Sequence, residues 1–370
     1  MNRGSGDWRG IGAGGVGGGG GVNLPVLRGH NEALLLGLLR GAGPTGLGRS
    51  ELAARTGLTP QAVSKIAARL VAEGLVAEAG RAPSTGGKPR TLLRLVPQAG
   101  HVVGVHADRD ELRAVRVDLA GGVVAESGGP LDFGAGPEAV VEAVVREVAR
   151  VSDPAGPAPL GVGVAAPGPL DHRTGVMGRV TGFPRWEGFP LREVLAGRLG
   201  APVLLDKDTN AAAAAPQDSS APASTSVYLH VGTGLGAGLR LGGEVYRGMR
   251  SGAGEFGHQV LRLDGPPCRC GGRGCAEVLC LEAVARGDLA EAARILGEGA
   301  ANLVALLDVD QVLLGGRVVG AAPEVFVQGV RAVLAARALT AKPAAVGLAV
   351  RGVAEGAAEL ALAPFFGRAS

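Results

Sequence analysis

With 370 residues, 46% of them hydrophobic and 19% charged, the chain has the composition of a soluble globular protein and length for two or three domains. No basic start leads into an apolar run with a small-residue cleavage site, and no apolar stretch approaches the roughly 18 residues of a membrane helix. Neither a secretory signal nor a membrane span is read, and a cytoplasmic protein is expected. The net charge of +3 is uneven: Val26 to Pro97 carries ten Lys and Arg against four acids. Such an excess suits a nucleic-acid-binding module on an acidic body, or a solvated basic surface.

Residues 1–25 are read as a Gly-rich disordered tail, because "GIGAGGVGGGGGV" has nothing to bury. From Asn31, leucines 34, 35, 38 and 39 recur at helical spacing. Ser50 is placed to cap a short second helix that Gly57 stops. Thr59 is placed to cap a third, with Pro60 in its first position, Val63, Ile66, Ala67 and Leu70 on one face, and Gly74 at its end. "LVAEAG" and "TLLRLV" read as strands joined by the polar "RAPSTGGKPR". Three helices and a hairpin over residues 26–97 make a winged helix-turn-helix. Gln61, Ala62, Ser64, Lys65 and Arg69 lie off the apolar face of the third helix, whose N-terminal end enters a major groove in that arrangement. Gln61 and Ser64 suit base edges, and Lys65 and Arg69 suit phosphates. Lys88 and Arg90 at the wing suit the backbone or minor groove. The alternative is a small helical domain that binds protein; the basic excess and the Gly-rich wing favour double-stranded DNA.

After Pro97 the pattern becomes α/β. "HVVGVHA", "LRAVRVDLAG" and "GGVVAES" are short strands with tight turns, followed by a helix from Pro137 to Val151 and the apolar strand "LGVGVAAPG". The theme recurs in "PVLLDKD", a helix through "TNAAAAA", a hairpin in "VYLHVGTGLGAGLRLGGEVY", long helices, and the strands "DQVLLGG" and "AVGLAVRG". "PQDSSAPASTS" (216–226) is read as a loop, and two α/β lobes are expected. All four cysteines fall within "CRCGGRGCAEVLC", Cys268 to Cys280. A core role does not explain that crowding, and in a reducing compartment it points to metal ligation or catalysis rather than disulfides.

Taken in order, "APGPLD" (166–171), "DKDTNAAA" (206–213), "VGTGLGAG" (231–238), "GEFGH" (254–258), "CRCGGRGCAE" (268–277) and "LLGG" (313–316) resemble the ROK family of sugar kinases and sugar-responsive repressors. The resemblance runs from about Gly100 to the C-terminus, and the winged helix in front resembles the repressor branch. For residues 98–370 it implies an actin-like, ribonuclease H-like domain of two α/β lobes around a sugar cleft, serving also oligomerisation. It implies a structural zinc ion on His258, Cys268, Cys270 and Cys275, a set that fits the tetrahedral N and S preference of Zn²⁺ and leaves no position for water. Cys280 is left as a buried thiol. The resemblance further implies sugar contacts from Glu255, His258 and Glu277, and from Asp208, which matches the family's catalytic base. With Asn210 and Lys207 these are the expected effector residues.

The chain also departs from the family. Kinase members open the domain with Asp-x-Gly-Gly-Thr, whose glycine amides and hydroxyl hold ATP phosphates; here the stretch is His106-Ala107-Asp108-Arg109. Side chains there obstruct close approach of a phosphate, and the Asp108 carboxylate repels it, so phosphoryl transfer is not expected. Asp208 is accordingly read as effector-binding, not catalytic. Two family asparagines are replaced by Lys207 and Gly182; Lys207 either favours a phosphorylated or acidic sugar or pairs with a carboxylate. The expected function is a DNA-binding transcriptional regulator, a repressor, controlled by a sugar or sugar derivative. A homodimer or homotetramer is expected because paired half-sites need two recognition helices about one DNA turn apart. The alternatives are an active ATP-dependent carbohydrate kinase carrying a DNA-binding domain, and a constitutive regulator with a purely structural body.

Overall fold

The computed structural model describes residues 24–81, 90–215, 225–338 and 343–368. The chain divides into two compact units, Met1–Gly100 with Leu362–Ser370, and His101–Ala361. The expected tail up to Asn23, the wing residue Lys88 and most of the 216–226 loop lie outside the described residues, whereas Leu24 and Pro25, also expected in the tail, open the first helix. Among the described residues, no helix is long and apolar enough to cross a membrane.

The first unit contains α1 (Leu24–Ala42), β1 (Leu47–Gly48), α2 (Arg49–Thr56), α3 (Pro60–Ala72), β2 (Val76–Arg81) and β3 (Thr91–Leu95). The third helix forms as its residues direct: the Thr59 hydroxyl accepts the Ala62 N–H at 3.2 Å, Pro60 leads, and Val63, Ala67 and Leu70 are buried. Two local expectations are corrected. The first helix starts at Leu24 rather than Asn31. The cap of α2 is Gly48, not Ser50, which lies inside the helix. Gly48 also pairs with Leu92, so a two-residue strand feeds directly into α2 and moves the helix start forward. That strand widens the hairpin to a three-stranded sheet of order β1-β3-β2. Leu35, Leu39, Leu52, Leu70 and Leu93 fill the core between helices and sheet.

The chain's last described residues join this unit. The turn Ala363–Phe366 packs on α1, with Phe366 buried and the Arg40 guanidinium 4.8 Å from its ring centroid. Phe366→Ala is expected to cost this unit about 3 kcal/mol through the cavity it leaves. Amide exchange in α1 reads that loss; unchanged protection there would show that the terminal turn contributes nothing to the unit.

The second unit repeats one strand order twice. In the first lobe β4 (His101–Ala107), β5 (Glu111–Asp118) and β6 (Val123–Pro130) form an antiparallel meander. After α4 (Pro137–Val151), β7 (Val162–Ala166) adds parallel to β4. The small pair β8 (Leu170–Asp171) and β9 (Val176–Met177) and helix α5 (Leu191–Leu199) then lead to β10 (Val203–Lys207), parallel to β7. The sheet order is β10-β7-β4-β5-β6. Helix α6 (Asp208–Ala214) leads into the second lobe, where β11 (Ser226–Val231), β12 (Leu235–Leu241) and β13 (Glu244–Val245) form the second meander. After α7 (Ala276–Ala285) and α8 (Leu289–Leu307), β14 (Gln311–Gly315) adds parallel to β11. Beyond α9 (Arg317–Ala321) and α10 (Pro323–Ala336), β15 (Ala345–Leu348) adds parallel to β14, giving β13-β12-β11-β14-β15.

Each lobe has its own apolar core, one around Phe133, Val144, Trp186 and Leu195, the other around Phe256, Leu296, Leu314 and Phe326. Helix α11 (Val353–Leu362) presses on the first sheet so closely that a Cβ at Gly104 or Gly163 would collide with the carbonyls of Ala354 and Ala357. The parallel strands β4, β7 and β10 end toward one side, and the groups they release at their C-terminal ends build the cleft.

Candidate functional site

The cleft is a concave, open-mouthed site of about 800 Å³, a volume that takes in the solvent at its mouth. Asp108 and Arg109 follow β4, Lys207 closes β10, Asp208 opens α6, Thr233 and Gly234 lie in the turn between β11 and β12, and Leu235 and Gly236 start β12. The opposite wall carries Glu255, His258 and Glu277. Five of the six expected effector residues therefore meet in one place.

Asn210 is the exception and a correction. It does not line the cleft; its amide donates to the Asp206 carboxylate at 2.9 Å in the buried layer behind. Residues two apart on a helix do not share a face, so Asp208 and Asn210 cannot both point into the cleft. Asp206 also accepts from Arg247 at 2.7 Å, which completes a buried anchor beneath the site.

Lys207 is buried, and its ammonium donates to the Ala253 carbonyl at 2.6 Å and to Glu255 at 3.1 Å. Of the two readings of this residue, the paired one holds in this structure. Asp208 is half-buried and accepts the Thr209 N–H at 2.6 Å. Burial pushes its carboxyl above the usual range, and the Asp108 charge adds to this, against the opposing pull of His230 and Lys207. Glu277, in the first turn of α7, accepts the Leu235 N–H at 3.0 Å and so ties the glycine-rich turn to the opposite wall.

His258, Cys268, Cys270 and Cys275 present ligand atoms that all lie within 4.8 Å of one another. The sulfurs of Cys270 and Cys275 are 3.7 Å apart, as are Cys268 Sγ and His258 Nδ1. With metal bonds of ~2.3 Å to sulfur and ~2.0 Å to nitrogen, a tetrahedral ion holds such atoms about 3.5 to 3.8 Å apart. The donor set therefore fits a four-coordinate metal with a closed shell. Gly271, at a φ of 92°, lets the loop double back so that Cys270 faces Cys275. Cys280 stands outside the cluster, buried, with its thiol donating to the Ala292 carbonyl at 3.6 Å and pushed by burial up to about 12. The cluster shares His258 with the cleft wall.

In the first unit, Gln61, Ser64 and Lys65 are exposed together on α3, and Arg90 is exposed at the entry to β3. Arg69, expected to meet phosphate, instead forms an ion pair with Glu32 of α1. That pairing links α3 to α1, with the Arg69 side chain still exposed.

The ROK family profile matches residues 103–286, and the MarR family profile matches residues 27–85. A ROK hexokinase from Thermus thermophilus is 32% identical, with 70% of this chain and 97% of that one covered at a TM-score of 0.57. This chain belongs to the ROK family. A ROK family transcriptional regulator, described as a homologue of the E. coli MLC protein, shares the fold at 19% identity and a TM-score of 0.74, covering 92% of this chain and 97% of that one. The xylose repressor of Bacillus subtilis is 27% identical over 257 residues, 68% of this chain and 66% of that protein. Across the xylose repressors it matches, the aligned stretch spans 59% to 66% of their length.

Against the ROK kinase pattern, the decisive group is Asp108. Its carboxylate accepts the Arg109 N–H at 2.7 Å and, across the cleft, the Thr233 hydroxyl at 3.0 Å. Burial alone would raise it, but His106, these two donors and His230 together hold it below the ordinary carboxylate range. An ionised acid thus sits on the glycine-rich turn. His106, in the place of the kinase acid, is pushed by burial down to about 4 against the opposing pull of Asp108, which makes it a neutral imidazole near pH 7. Asp108 itself was legible in the sequence; its Thr233 partner was not, because no local spacing links positions 125 residues apart. His230, bonded through Nδ1 to the Tyr228 hydroxyl at 3.0 Å, is a further cleft residue that no sequence motif signalled.

Proposed function

We propose that this ROK chain is a DNA-binding transcriptional regulator, a repressor, whose operator affinity is set by a sugar or sugar derivative bound in the cleft without phosphoryl transfer. The observation that carries it is the Asp108–Thr233 bond, which seats a carboxylate where a nucleotide's phosphates would need donors, in a chain that begins with a winged helix. Asp208, Glu255, His258 and Glu277 are the sugar-contacting residues in this reading, with Lys207 holding Glu255 in place. His258, Cys268, Cys270 and Cys275 hold one structural zinc ion, which braces the wall that His258 and Glu277 share. Gln61 and Ser64 read base edges; Lys65, Arg90 and Lys88 neutralise phosphates. The chain acts in the cytoplasm as a homodimer or homotetramer on paired half-sites of double-stranded operator DNA. The names of the xylose repressors support the sugar class.

Purified protein is expected to show no sugar-dependent ATP hydrolysis and no nucleotide-induced rise in melting temperature. Phosphorylation of any hexose or pentose that disappears in Asp208→Asn would replace this reading with the kinase.

Asp208→Asn carries a second expectation. Because the folded carboxyl titrates above its unfolded value, ionised Asp208 opposes folding at neutral pH, and that effect begins to fade as the pH falls through the folded pKa and is gone below the unfolded one. The substitution is therefore expected to raise the melting temperature at pH 7 and to lose that advantage in acid. It should weaken sugar binding about ten- to a hundredfold, the value of a hydrogen bond to a charged acceptor. A lower melting temperature together with intact sugar binding would remove Asp208 from the site.

A further inference from the structure

The cleft holds four acids and three non-histidine cations, and the state of each decides what ligand it accepts. All four acids are engaged: Asp108 by Thr233 and the Arg109 N–H, Asp208 by the Thr209 N–H, Glu255 by Lys207, and Glu277 by the Leu235 N–H. Lys207 is paired in turn. Arg109 and Arg269 also line the cleft, and among the described residues neither forms an ion pair.

Arg109 is held by packing instead. Its guanidinium rests against the glycine-rich turn, where a Cβ on Gly234 would meet Nη1 at 3.5 Å and Nη2 at 3.6 Å. On another side the Phe183 ring centroid lies 6.0 Å from its Cζ. The Glu277 carboxylate approaches the same point of that turn, where a Cβ on Gly234 would meet its Oε2 at 3.0 Å, but it is held by the Leu235 N–H and forms no ion pair with Arg109 among the described residues. A half-buried guanidinium without an ion pair has lost part of its hydration and recovers that loss when an anion arrives. Its planar fork matches the two oxygens of a carboxylate or a phosphate. Arg269 stands between Cys268 and Cys270, so the cluster loop fixes its backbone while its side chain reaches the same cleft.

We propose that the cleft selects a monosaccharide bearing one negative group, a carboxylate or a phosphate, and that Arg109 and Arg269 are the side chains that read it. The proposal rests on the sugar-effector reading above and gives its ligand class. It moves the anion recognition that Lys207 offered in sequence onto two residues that remain unpaired. A nucleotide stays excluded, since the Asp108 carboxylate sits where a polyphosphate would extend, whereas one compact anion needs only the guanidinium side of the loop.

The test is titration calorimetry on the full chain with matched probes: D-xylose against D-xylonate, and D-glucose against D-glucuronate and D-glucose 6-phosphate. At least one acidic probe is expected to bind about tenfold or more tighter than its neutral parent, the worth of a charge-assisted pair. Arg109→Gln should lower the acidic probe's affinity far more than the neutral parent's and so erase that advantage, and Arg269→Gln should erase part of it. Arg109→Lys, which keeps the charge and loses the fork, should retain more of a phosphate preference than of a carboxylate preference. The carboxylate and phosphate arms separate the two sources of charge. If neutral sugars bind tightest and release the operator, this proposal fails and the regulator reading stands. Persistence of the acid preference in both Gln variants also overturns it. If no probe binds the wild-type chain, the proposal and the sugar-effector reading fail together.

Discussion

Cys270→Ser is expected to reduce the metal content of the purified protein from about one zinc per chain to a small fraction. A serine hydroxyl is a poor replacement for a thiolate, and a four-ligand closed shell has no spare donor to compensate. The consequence should reach the cleft by a short route. Cys275 immediately precedes α7, Glu277 in the first turn of that helix holds the Leu235 N–H, and His258 belongs to both the cluster and the cleft wall. Releasing the cluster loosens that wall, so sugar binding should fall by more than about tenfold, the scale at which lost positioning of binding groups is felt. Operator binding without sugar should change little, because α3 belongs to the other compact unit. Treatment of wild-type protein with a strong chelator should reproduce both results. Metal analysis well below half an equivalent in fresh wild-type protein, or a Cys270→Ser variant with undiminished sugar response, would remove zinc from this account.

Operator affinity should depend on α3 in separable ways. Gln61→Ala is expected to cost about 1 to 3 kcal/mol on the operator and far less on random DNA, because an amide pairs with a base edge only in the correct sequence. Lys65→Ala should weaken binding to all sequences alike and flatten the salt dependence by about one unit, the signature of a lost phosphate contact. Arg90→Ala should behave as Lys65→Ala does. Arg69→Ala is expected to differ from both: with its guanidinium on Glu32, its loss removes a partly exposed ion pair worth up to about 1 kcal/mol of stability and leaves the salt slope nearly unchanged. Fluorescence anisotropy across a salt series on operator and random duplexes distinguishes these outcomes. Unchanged operator affinity in both Gln61→Ala and Lys65→Ala would mean that α3 is not the recognition helix. A loss of sequence preference in Arg90→Ala would assign base reading to the wing instead.

What was legible in the sequence is what short-range chemistry decides. The third helix needed only a threonine cap, a proline at the first position and a 3.6-residue apolar stripe, and it forms with those residues in those roles. The His258 and cysteine cluster closes within eighteen residues, so the loop itself brings its ligands together. The repeated strand theme was readable because each meander is built from neighbouring segments. Tertiary structure decided the partners. Lys207 looks the same in sequence whether it awaits an anion or holds Glu255, and Arg69 the same whether it faces phosphate or Glu32. Asn210, expected in the cleft with Asp208, is turned by helix geometry to Asp206. The carboxylate of Asp108 found Thr233, the two-residue strand Leu47–Gly48 found β3, and Phe366 from the end of the chain found α1. A side chain's type sets which bonds it is able to make. Which bond it makes depends on what the folded backbone places within about 3 Å, the reach of a hydrogen bond, and for residues far apart in sequence that is decided only when the layers pack.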